Sequence, residues 1–168
     1  MLPLGSDAHN FSLPDVVSGN TVQLKDLQSD KATVIMFICN HCPYVIHVNP
    51  ELKQLSDEYM KRGVSFIAIS SNDVENYPQD GPAEMRKLVK DNGFNFPYLY
   101  DASQEVAKAY DAACTPDFYV FDAQIKLVYR GRLDDSKPHS RKPLTGKDLR
   151  NALDAVLAGE DPFDVQYP

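Results

Sequence analysis

A chain of 168 residues can bury a full core as one domain, and 43% apolar with 24% charged residues fits a globular protein. A net charge of −7 and a pI near 5.0 give no global support for nucleic-acid binding. No apolar run reaches the ~18 residues of a membrane span, the opening MLPLGSDAHN lacks the charged and apolar pattern of a leader, and three cysteines are too few for a disulfide scaffold. The expected compartment is the cytoplasm, where a close cysteine pair is catalytic or metal-binding more often than structural. The charge is uneven: eight Lys/Arg against three acids between Lys126 and Arg150 make a basic strip, read as a solvated face.

In chain order, Phe11, Leu13, Val22 and Leu24 alternate around Ser18-Gly19-Asn20, which predicts a small hairpin. Ala32 to Cys39 is an unbroken apolar run, as in a central strand covered on both faces. Asn49-Pro50-Glu51 carries helix-start signals, with Leu52, Leu55, Tyr59 and Met60 at helical spacing; a helix begun near Cys42 would be interrupted or kinked at Pro50. Gly63 to Ser70 predicts a second buried strand, Ser71 to Pro82 a loop, and Pro82 to Asp91 a helix. A short strand (Phe96 to Tyr100), a short helix (Gln104 to Tyr110) and a hairpin of Asp117–Asp122 with Lys126–Gly131 follow. Thr145-Gly146-Lys147-Asp148 resembles a capping box ahead of the stripe Leu149, Ala152, Leu153, Val156 and Leu157. The order implies an α/β fold with a mixed central β-sheet, helices on both faces and an N-terminal β-hairpin. One domain is expected over residues 1–168, its core at about 5–158 and a poorly ordered tail from Gly159.

Two residue groups carry chemistry. Cys39 and Cys42 form a CxxC where the central strand ends, with His41 between them and His47 beyond. Only a thiolate reacts, and a strand-to-helix junction aims backbone N–H groups at the Cys39 sulfur, while a protonated His41 would favour the thiolate further. The spacing lets Cys42 resolve a mixed disulfide formed on Cys39. Two other readings stay open: a metal clamp of Cys39, His41, Cys42 and His47, or inert buried thiols. The second group is Cys114-Thr115-Pro116-Asp117, just ahead of a strand. A cis bond before Pro116 would leave the Thr115 backbone free to pair with an extended substrate. Cys114 is either a small apolar loop residue or a third redox thiol.

With both groups in place, the chain resembles the thioredoxin superfamily, in its redoxin (AhpC/TSA and TlpA-like) branch. CNHCPYV, SSNDVENYP, ACTPDFYVFD and YRGRLDDS look most like the peroxiredoxin-like group of CxxC proteins. The resemblance implies a thioredoxin-like fold, Cys39 as nucleophile, Cys42 as resolving thiol, His41 as a residue that tunes the thiolate, and Pro116 as a cis-proline in a substrate-binding loop with Thr115. The implied function is thiol:disulfide exchange through a redox-active Cys39–Cys42 disulfide, with no other cofactor. Expected partners are protein or small-molecule thiols and disulfides, with an upstream reductant such as thioredoxin or glutathione; neither nucleic acid nor membrane is expected, and no oligomeric state is implied. The alternatives are a thiol-dependent peroxidase and a metal-binding or metal-delivery module. Peroxidases of the resembled family place Thr or Ser three residues before the reacting cysteine, and an arginine in the facing strand. Here Met36 and Cys39 hold those places before Cys39 and Cys42, and no arginine lies between Ala109 and Phe121.

Overall fold

Leu13 pairs with Val22 across an antiparallel hairpin of β1 (Ser12–Pro14) and β2 (Thr21–Gln23), as the alternation requires. Asp15 closes its loop, its carboxylate accepting from the N–H groups of Val17 (3.0 Å) and Ser18 (3.4 Å). A single helical turn, α1 (Leu24–Leu27), follows; four residues are too few to show a period in the sequence. The structure is a computed structural model that describes residues 2–112, 114–160 and 162. The tail expected from Gly159 lies mostly outside them.

The central strand β3 (Ala32–Phe37) is buried at every position. After it come α2 (Pro43–Met60), β4 (Val64–Ser70), α3 (Pro82–Asn92), β5 (Tyr98–Tyr100), α4 (Glu105–Ala109), β6 (Asp117–Phe121), β7 (Leu127–Gly131) and α5 (Lys147–Leu157). The strands form one mixed sheet in the order β5-β4-β3-β6-β7, with β3, β4 and β5 parallel and β6 and β7 antiparallel. Alternation along β3 sends Val34 and Met36 into a core shared with α2, α3 and α5, through Val45, Leu52, Leu55, Met85, Leu149 and Leu153. Ile35 and Phe37 face a second core with the hairpin, Leu24 and Tyr110. A sheet covered on both faces accounts for the unbroken apolar run, and each fully buried aliphatic side chain contributes about 1.5–3 kcal/mol.

Two expectations are corrected at helix starts. The helix expected at Asn49 begins at Pro43, with Cys42 as its N-cap, and is assigned without a break through Pro50. The ring nitrogen of Pro50 cannot donate to a preceding carbonyl. Burial of Val45, Val48, Leu52, Leu55 and Tyr59 along one stripe holds the helix across it, so tertiary packing outweighs the local signal. At α5, no side chain of Thr145 caps the helix. Gly146 is the N-cap in the left-handed region (φ +69°), and buried Asp134 accepts from the N–H groups of Thr145 (2.8 Å) and Gly146 (2.7 Å).

The basic strip is largely occupied by ion pairs: Lys126 with Asp7, Arg130 with Asp117, Arg132 with Asp148, Lys142 with Asp135, and Arg150 with Glu51 and Glu58. Among the described residues, no helix is long and apolar enough to cross a membrane.

Candidate active site

Two strand registers assemble the site. Phe37 pairs with Asp117 in the antiparallel β3–β6 ladder, so the chain leaving β3 through Ile38 and Cys39 runs beside Pro116 and Thr115. Phe37 also pairs with Ile69 in the parallel β3–β4 ladder, which brings the segment after Ser70 along the other side. Parallel strands gather their following loops at their carboxyl ends. The CxxC turn therefore lies between the Thr115–Pro116 loop and the Ser71–Gly81 segment.

The Thr115–Pro116 bond is cis. The Cys39 sulfur lies 3.5 Å from the Thr115 hydroxyl, and the Cys42 thiol donates toward the Thr115 carbonyl at 3.7 Å. The three free thiols differ in access: Cys39 is 1% exposed, Cys42 half-buried and Cys114 exposed. Cys42 caps α2 with its carbonyl, which accepts from the N–H groups of Val45 and Ile46 at 3.0 Å each.

Asp80, which sequence reasoning missed, closes the other side. It is fully buried and sits in a single 3-10 turn, Pro78–Asp80. Its Oδ1 accepts from the Asn40 N–H (2.8 Å), and its Oδ2 accepts from Asn72 Nδ2 (2.9 Å) and lies 2.5 Å from His41 Nδ1. Two donated hydrogen bonds, with the His41 ring nitrogen close beside them, offset the cost of burying the carboxylate. The Tyr77 ring stacks on His41, centroids 4.8 Å apart and 8° from parallel. Asn40 ties the same segment down, donating to the Gln79 carbonyl (2.9 Å) and accepting from the Tyr98 hydroxyl (3.1 Å). A polar loop following a strand parallel to the CxxC strand was the available signal, but it named a place and no particular residue.

Residues 4–130 match the AhpC/TSA family. The chain belongs to that family. It is 58% identical to an uncharacterized conserved protein from Geobacillus kaustophilus of known crystal structure, with a TM-score of 0.97 over 100% of this chain and 89% of that one. Among curated proteins it is similar to the thiol-disulfide oxidoreductase ResA of Oceanobacillus iheyensis, 25% identical over 135 residues, covering 77% of this chain and 66% of that protein's length. The thioredoxin domain of a thiol-disulfide oxidoreductase from Bacteroides vulgatus matches at a TM-score of 0.67 and 17% identity, over 91% of this chain and 99% of that domain. The fold is thioredoxin-like, as the sequence implied.

Within this AhpC/TSA scaffold, the expectation of a Cys39 thiol drawn down by its surroundings is not met. Burial pushes its pKa up, and the nearby Cys42 and Asp80 push the same way; the Thr115 hydroxyl and the Cys42 backbone N–H oppose them without prevailing. His41 sits against the Asp80 carboxylate. The four-ligand clamp is not assembled either. Cys39, His41 and Asp80 bring ligand atoms within 4.8 Å of one another, and among the described residues neither Cys42 nor His47 joins that group. His47 Nε2 instead lies 2.7 Å from the Ser136 hydroxyl, which itself donates to the Lys142 carbonyl (3.1 Å). Cys114 and Thr115 line two clefts of about 360 and 350 Å³, one extending to Asn72 and Gln104, the other to Tyr44 and Arg132. Burial also pushes the Cys114 thiol up, with Asp117 adding to it.

Proposed function

We propose that the protein exchanges thiols and disulfides through the Cys39–Cys42 dithiol, taking protein or small-molecule disulfides as substrates. The carrying observation is that both sulfurs converge on one residue, the Cys39 sulfur on the Thr115 hydroxyl and the Cys42 sulfur on the Thr115 carbonyl. A backbone carbonyl beside a reactive pair gives an extended substrate a partner for its own N–H, and the clefts on either side of Cys114 and Thr115 give its side chains room. The likeness to ResA supports the same chemistry. The pair carries two electrons without a further cofactor, and a thiol reductant such as thioredoxin or glutathione would restore it in a reducing cytoplasm.

A second reading, which membership of the AhpC/TSA family supports, is that peroxide oxidises the same thiols. Buried Met36, three residues before Cys39, offers peroxide no hydrogen bond, so its reduction is expected to be slow beside disulfide exchange. The test is catalysed reduction of insulin disulfides by dithiothreitol. The wild type should accelerate it, and the Cys39→Ser/Cys42→Ser double variant should not; equal rates for the two would overturn the reading.

A further inference from the structure

We propose that the loop from Asp134 to Thr145 is a docking surface for acidic residues flanking the cysteine of an extended protein substrate. Resting on the dithiol reading above, this surface defines the class of disulfide that the site prefers. The ion pairs of the basic strip leave three of its eight cations, Lys137, Arg141 and Lys147, without a carboxylate partner among the described residues. Lys137 and Arg141 fall in this one loop, and both are exposed.

The loop holds these charges in place. Buried Asp134 accepts from the N–H groups of Ser136 (2.8 Å) near one end and of Thr145 (2.8 Å) and Gly146 (2.7 Å) at the other. Between these anchors the Ser136 hydroxyl donates to the Lys142 carbonyl (3.1 Å). Lys137 and Ser140 close a turn: the Lys137 N–H donates to the Ser140 hydroxyl (3.0 Å), and the Ser140 N–H to the Lys137 carbonyl (3.0 Å). Charges on a backbone tied down in this way cost an incoming partner less ordering than charges on a free loop.

Their position relative to the dithiol gives them a use. Lys137 lines the cleft of about 350 Å³ that also runs to Thr115, with Tyr44, Val48, Pro116 and Leu133 as its apolar wall. A substrate strand that pairs with the Thr115 backbone lays side chains along that wall. Such a strand advances about 3.3 Å per residue, which brings residues two to four positions from its cysteine over Lys137 and Arg141. Exposed Asp73 and Glu75 stand in the segment that borders the other cleft through Ser71 and Asn72. An acidic segment is therefore attracted at this loop by a molecule whose net charge of −7 repels it, which fixes its orientation as well as its rate of encounter.

The test measures the second-order rate at which the reduced protein reacts with three synthetic peptide disulfides. They are identical except for Glu, Gln or Lys at the second to fourth positions on either side of the cysteine, and released peptide thiol is read by chromatography. The expected order is Glu, then Gln, then Lys, with Glu roughly tenfold above Lys at low ionic strength. That ratio should approach one as salt shortens the screening length to about 3 Å at 1 M. In Lys137→Gln/Arg141→Gln the low-salt ratio should fall at least about threefold. It should hold in the charge-matched Lys31→Gln/Lys61→Gln, whose changes lie ahead of β3 and at the far end of α2. Equal rates for the three peptides, a ratio kept in Lys137→Gln/Arg141→Gln, or an equal fall in both variants overturns the docking surface. Failure of the wild type to react with any of the three overturns the dithiol reading itself, a distinct result.

Discussion

Asp80 Oδ2 lies 2.5 Å from His41 Nδ1, and the carboxylate is fully buried beside the Cys39 thiol. The histidine of the CxxC turn is therefore half of a pair rather than a lone cation aimed at a sulfur. Asp80 adds negative charge where the sequence reading expected positive, and its charge joins burial in raising the Cys39 pKa.

That relationship sets a pH dependence. The folded protein holds the Cys39 proton at pH values where the unfolded chain has lost it. Its contribution to stability is therefore full below the ordinary thiol pKa and lost as pH rises through that value toward the folded one. In Asp80→Asn, with the charge gone and the shape kept, the midpoint of the Cys39 Cβ chemical-shift titration should fall. A midpoint unchanged or raised in the folded variant would remove Asp80 from the account.

His47 tests whether the second histidine belongs to the site. Its ring is held by Ser136, a residue remote from both thiols in sequence. His47→Ala should cost about 1 kcal/mol in urea unfolding, the worth of one hydrogen bond, and leave the rate of disulfide exchange within twofold of wild type (about 0.4 kcal/mol). A loss of exchange with stability intact would return His47 to the chemistry.

The Arg130–Asp117 pair anchors the strand that follows the Thr115–Pro116 loop. The two groups lie 3.1 Å apart, each side chain 7% exposed, and the guanidinium also covers the Tyr119 ring at 5.1 Å. Removing one member of a buried pair takes a counter-charge away from the other, so Arg130→Ala should destabilise by about 3–5 kcal/mol. Chemical denaturation of that variant supplies the number, and a loss below 1 kcal/mol would show the pair to be dispensable.

Gly146 marks a close approach between α5 and α2. Its φ of +69° disfavours any side chain, and a Cβ there would stand 2.8 Å from Leu55 Cδ1 and 3.2 Å from Glu51 Oε1. Gly146→Ala should cost about 1–3 kcal/mol through strained backbone and crowding. Unchanged thermal stability would contradict the geometry.

Much of this was legible from residues alone. The run Ala32–Cys39, the dithiol at its end and the Thr115–Pro116 step before the next strand carry the fold and the place of the site, because buried strands and fixed dihedrals leave direct marks in sequence. The start of α2 was not legible. Asn49, Pro50 and Glu51 spell a helix start more plainly than Cys42 and Pro43 do, and only the burial of Val45 and Val48 shows the helix reaching back to them. Asp80 was hidden for a different reason: an aspartate in a polar loop looks solvated until strand order places that loop over the CxxC turn. The exposure of Cys39 and Cys42 likewise depends on what packs against them and not on their spacing.

The redox titration of the reduced protein against a dithiothreitol or glutathione couple, read by peptide mass spectrometry, tests the central claim most directly. Cys39 and Cys42 should lose their thiols together in one two-electron transition, with a disulfide mapped between them. A midpoint near about −270 mV would mark a reductant, and one near about −120 mV an oxidant. Thiols that oxidise independently, or a fully oxidised protein with no Cys39–Cys42 bond, would contradict it.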